Sequence, residues 1–127
     1  MTSASQQWIE QAQYDLETAK AMQASGRYLY VLFCCQQAVE KSLKALIVER
    51  TGQFPPRIHN LPRLAEAGKL ELDESRMDFL AELSTYYVQT RYPEEIRSLT
   101  DSLTREKTEQ TLRMSEKMVT WLLSMRK

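Results

Sequence analysis

Between Tyr28 and Arg50 the chain runs YLYVLFCCQQAVEKSLKALIVER, with no glycine or proline, and this stretch restricts the fold more than any other. Its large apolar side chains, Leu29, Leu32, Phe33, Val39, Leu43, Leu46 and Ile47, return every three or four residues. That spacing predicts a helix whose broad apolar stripe must be buried. Directly beside the stripe lies a polar run: Gln36, Gln37, Glu40, Lys41 and Lys44. Gln36, Glu40 and Lys44 are four apart and share one face, with Glu40 placed to pair with Lys44. On spacing alone, the run is the solvated face of an amphipathic helix.

The flanking segments are helical too. Ser3 or Ser5 can cap a first helix that reaches about Ala24, with Trp8, Ile9, Ala12, Leu16, Ala19 and Met22 as its buried stripe. Ser25-Gly26-Arg27 is so short a break that the first two helices are expected to pack as antiparallel neighbours. The central helix stops at Thr51-Gly52, and Pro55-Pro56 makes Gln53 to Ile58 extended. Asn60 caps a short helix to about Ala67, with Pro62 in its first turn and Gly68 at its end. Asp73 caps the next, whose expected apolar face is Met77, Leu80, Ala81, Leu83, Tyr87 and Val88. Pro93 to Ser102 is polar and is expected to be a loop. Ser102 or Thr104 starts a last helix, along which Met114, Met118, Trp121 and Met125 form a core or dimer stripe widened by Leu112, Val119 and Leu122. The expected fold is all-α: an up-and-down four-helix bundle with one additional short helix, in a single domain over residues 1–127.

Composition excludes several function classes. Lys+Arg and Asp+Glu both number 17, so the chain has none of the global basic footprint of a general nucleic-acid binder. The three glycines are isolated and each ends a helix, which leaves no phosphate-cradling loop. His59 is the only histidine, so no two-histidine metal site can form. Cys34 and Cys35 point about 100° apart on a helix, which does not suit a disulfide between them. They lack partners for zinc, and are expected to be reduced thiols of a cytoplasmic protein. The N-terminal MTSASQQWIEQAQYDLE has no signal-peptide layout, and the longest apolar run, Tyr28 to Cys35, is far short of a membrane span. No metal, cofactor or membrane is expected. Any chemistry would fall to Arg, Tyr, Lys, Glu and one His.

One cluster stands out: Tyr86-Tyr87-Val88-Gln89-Thr90-Arg91-Tyr92-Pro93. Arginine offers a permanent forked charge suited to phosphate, and tyrosine rings can stack on bases. Equally, Tyr86 and Tyr87 could be core residues and Arg91 a partner of the helix C-terminus.

The order of motifs resembles the HEPN family (higher eukaryotes and prokaryotes nucleotide-binding domain). The resemblance is carried by Trp8, Ala12 and Tyr14-Asp15-Leu16, then Gly26-Arg27-Tyr28, then the run from Cys35 through Gln36-Gln37-Ala38-Val39-Glu40-Lys41-Ser42-Leu43-Lys44 to Leu46. His59-Asn60-Leu61 is similar to the family's His-Asp-Leu element, and Arg91-Tyr92-Pro93 to its Arg-Tyr-Pro element. The resemblance implies a helical bundle that usually dimerises, often beside a minimal nucleotidyltransferase as a toxin–antitoxin pair. Many members are metal-independent ribonucleases using an arginine, four to six residues, then a histidine. Here Arg91 is followed by Tyr92, Pro93, Glu94, Glu95, Ile96 and Arg97, so that motif is not present.

Three readings follow. In the first, the protein is a non-catalytic module that holds a nucleotide or RNA and partners a nucleotidyltransferase. Gln37, Lys41, Lys44, His59, Arg91 and Tyr92 line its groove, with Gln36 and Glu40 as a structural network. In the second, it is a ribonuclease toxin in which Arg91 and His59 are catalytic, the arginine stabilising the phosphate and the histidine moving a proton. In the third, it is a structural dimer whose polar run fixes helix register.

Overall fold

Local chemistry sets where most helices begin. Ser3, Asn60, Asp73 and Thr104 have extended backbone, and each side-chain oxygen accepts from the N–H three residues on, those of Gln6, Arg63, Arg76 and Lys107. Each cap meets a donor that no intrahelical carbonyl reaches. The computed structural model describes residues 3–126, and these form six α-helices and no strand. They are α1 (Ala4–Ala24), α2 (Tyr28–Thr51), α3 (Leu61–Ala67), α4 (Glu74–Gln89), α5 (Pro93–Ser102) and α6 (Arg105–Ser124). Gly52 ends α2 in the left-handed region, at φ 69°, which costs glycine nothing.

Side-chain pairs reveal how the helices run. Trp8 lies against Lys44 and Asp15 against Lys41, so α1 and α2 are antiparallel. Thr108 reaches Gln23 and Glu116 reaches Lys20, so α6 opposes α1. Arg76 sits over Trp121 while Phe79 shares a shallow surface with Met114 and Met118, so α4 opposes α6. The four long helices thus alternate in direction, and α2 packs against α1, α6, α3 and α4.

That central position overturns the solvated-face expectation for α2. Gln36, Glu40, Ser42 and Lys44 are buried along with Val31, Leu32, Cys34, Cys35, Val39, Leu43, Leu46 and Ile47. A helix enclosed on nearly every side must bury polar residues as well as apolar ones. Leu29 and Phe33, at the open end of the stripe, are only partly covered.

Two further expectations need correction. Pro93–Ser102 is the helix α5, not a loop. Proline at the first helical position loses no hydrogen bond, and Glu94 and Glu95 complement the positive end of the helix. On α4 the buried residues are Phe79, Leu80, Leu83 and Tyr86; Ala81 and Val88 are exposed and Tyr87 is half-buried. The face is rotated by about one residue, because α4 must meet both α2 and α3. On α6, likewise, Met118 is buried with Leu112, Val119 and Leu122, but Met114 is exposed. Among the described residues, no helix is long and apolar enough to cross a membrane.

Candidate functional site

Glu40, only 3% exposed, is the point on which the polar side chains converge. Its Oε1 accepts from Gln36 Nε2 at 3.0 Å and its Oε2 from Lys44 Nζ at 3.1 Å. His59 Nδ1 lies 3.0 and 3.1 Å from the two carboxylate oxygens. Gln36 Oε1 in turn accepts from Gln37 Nε2 at 2.7 Å. A buried carboxylate is tolerable only when its charge is matched and its lone pairs are met. Here Lys44 supplies the opposite charge, and it also stands 5.5 Å from the centre of the Trp8 ring, a cation–π contact.

His59 comes from the connection between α2 and α3, and its place is fixed from both sides. Pro55, upstream, is buried. Downstream, the Leu61 N–H donates to Ser84 Oγ on α4 at 3.0 Å, and Asn60 caps α3. Gln36 Nε2 also lies 3.4 Å from the His59 carbonyl oxygen. The imidazole is anchored at its inner edge while its side chain stays 43% exposed.

The outer face of the cluster is built on Tyr87. The His59 ring stacks on it with centres 4.0 Å apart and 15° between planes. The Arg91 guanidinium carbon lies 4.1 Å from the same ring centre. One half-buried tyrosine therefore gathers the only histidine and an exposed arginine onto one small patch. Among the described residues, Arg91 has no carboxylate partner within ion-pair distance. Tyr92, 57% exposed, follows it in the chain.

The candidate residues are thus divided between two places. His59 and Arg91 meet on Tyr87, and Gln37 and Lys44 join them through Gln36 and Glu40. Lys41 lies on the seam between α1 and α2, 2.8 Å from Asp15 Oδ2 and 3.3 Å from Gln11 Oε1. Sequence reasoning did not single out the pivot, Tyr87, from its neighbours in the tyrosine cluster, because an interior tyrosine and a stacking platform share the same helical spacing. The cysteines offer no nucleophile. Burial, aided by the Asp15 charge, pushes Cys34 up to about 11 against the opposing Lys41, and burial pushes Cys35 to about 12.

The HEPN domain sequence pattern matches residues 5–125 of the chain. TT1696 from Thermus thermophilus, a solved structure, is 27% identical, with 98% of each chain covered and a TM-score of 0.82. ST0689, an archaeal HEPN homologue, is 21% identical over 96% of this chain and 97% of its own, with a TM-score of 0.75, a likeness of fold. No curated protein matches the sequence.

Proposed function

The chain belongs to the HEPN domain family, and on that premise we propose that it is a non-catalytic module holding a nucleotide or single-stranded RNA. In this reading it works in the cytosol as a homodimer beside a minimal nucleotidyltransferase, in a toxin–antitoxin-like pair. The observation that supports it is the meeting of Arg91 and His59 on the Tyr87 ring. Arg91 is the cation of the patch available to a phosphate, Tyr92 offers an exposed ring for a base, and Gln37 borders the patch. Lys44 and Lys41, held by Glu40 and Asp15, support the patch and the α1–α2 seam from behind.

The same proximity favours a second reading, a ribonuclease in which Arg91 steadies the phosphate and His59 acts as general acid or base. The test is fluorescence anisotropy with labelled single-stranded RNA, alongside a metal-free cleavage assay. Wild type is expected to bind without cutting, and Arg91→Ala to bind about 10- to 100-fold more weakly, the worth of one charge-assisted contact. Cleavage by wild type that disappears in both His59→Ala and Arg91→Ala would put the ribonuclease first. Absence of both binding and cleavage would sink both readings.

A further inference from the structure

Where α1 turns into α2, the two helices leave a groove of about 440 Å³ between them, within the size range of small-molecule sites. The short break at Gly26 and Arg27 sets the last turns of α1 beside the first turns of α2. Thr18, Met22 and Ser25 line the groove from the α1 side, and Tyr30, Phe33 and Cys34 from the α2 side. Both α1 hydroxyls are already spent: Thr18 Oγ1 donates to the Tyr14 carbonyl at 2.9 Å, and Ser25 Oγ to that of Met22 at 3.2 Å. Burial keeps the Cys34 thiol protonated, so it brings no charge. The lining is therefore largely hydrocarbon, sulfur and aromatic ring. Arg27, at the turn end, is the exception. It is exposed, and among the described residues its guanidinium holds no ion pair and no hydrogen bond. The next cation along the α1–α2 seam, Lys41, is tied to Asp15.

We propose that this groove binds an apolar carboxylate, a free medium-chain fatty acid, with its tail between Met22, Phe33 and Cys34 and its head on the forked donors of Arg27. One unpaired cation at the end of an otherwise uncharged lining fits a ligand with one anionic end and an apolar body. A peptide with an apolar last residue would bring the same carboxylate. It would also carry backbone N–H and C=O groups into a groove whose Thr18 and Ser25 hydroxyls have no donor left, and unpaired polar groups are costly there. A hydrocarbon tail has nothing to pair.

The test is isothermal titration calorimetry of the full chain at neutral pH with decanoate, decanol and decyltrimethylammonium, all below their micelle concentrations. Decanoate is expected to bind about tenfold tighter than decanol, the worth of one exposed charge-assisted contact, and the ammonium more weakly than either. Between octanoate and decanoate, affinity is expected to climb about two- to fourfold per methylene. Arg27→Ser is expected to make decanoate and decanol equal. Arg27 is the N-cap of α2 and gives it no side-chain hydrogen bond, whereas serine is a preferred cap, so this variant keeps the fold. Thr18→Phe, which fills the groove with a ring, is expected to weaken decanoate and decanol alike. Should Thr18→Phe fail to fold, the ligand series and Arg27→Ser still decide. A carboxylate preference that survives Arg27→Ser, equal affinity for the three head groups in the wild type, or binding of none of them overturns the proposal.

Discussion

Cys34 and Cys35 sit on α2 where it faces α1 and α6, and burial holds both thiols protonated well above their ordinary 9.0. The sign of the consequence follows from proton counting. Between pH 9 and about 11–12 the unfolded chain releases thiol protons that the folded chain keeps, so the unfolded state gains. Their contribution to stability is therefore complete below pH 9 and is lost as pH rises through that window. Tyr86, raised mainly by burial, acts with the same sign from its own ordinary value of 10.0 upward. Urea midpoints at about pH 8 and pH 10.5 should fall with rising pH, and fall less in Cys35→Ala than in wild type. A parallel slope in the two proteins would show that the thiol is not responsible. Reagents that require thiolate should label the native protein slowly at neutral pH.

Among the helices, α5 is the exception. Its buried residue is Leu99, Ile96 is half-buried, its main neighbour is α4, and its other residues are exposed. By contrast α2 is packed on four helices and holds fourteen buried residues. Local opening follows such differences in buried contact, so α5 amides should exchange at least about a hundredfold faster than those of central α2. Equal protection would mean that α5 is held by something besides α4, such as a second copy of the chain. The element lies just past Arg91 and Tyr92, so its opening would loosen the outer edge of the Tyr87 patch while leaving Glu40 and Gln36 in place.

For the whole molecule, zero net charge and internal pairing limit how electrostatic any binding can be. Lys41 and Lys44 are committed to Asp15 and Glu40, which leaves Arg91, among the described residues, as the unpaired cation of the patch. Each phosphate neutralised on a single strand contributes about −0.7 to the slope of log affinity against log salt. By that measure the expected slope is about −0.7 per site for wild type and near zero for Arg91→Ala. A slope steeper than about −2 would require several more phosphate contacts and would place the binding surface elsewhere.

Helix number and type were nearly all legible in the sequence, because caps such as Asn60 and Asp73 and the apolar period of α2 act within a few residues of themselves. Those signals, with the ordered motifs from Trp8 to Pro93, also carried the family. The loop expected at Pro93–Ser102 failed for a local reason: a polar composition hid a proline-led helix start with two acidic residues, Glu94 and Glu95, in its first turn. What the sequence could not decide was which face of each helix is enclosed. Gln36, Glu40 and Lys44 have the spacing of a solvated face, and only the surrounding helices turn them into a buried network. His59 lies nineteen residues from Glu40 along the chain, yet bonds to it, and meets Arg91 across Tyr87. Periodicity reports neighbours a few residues apart. Contacts across the loop and between α2 and α4 exist only once the chain has packed, and those contacts build the patch.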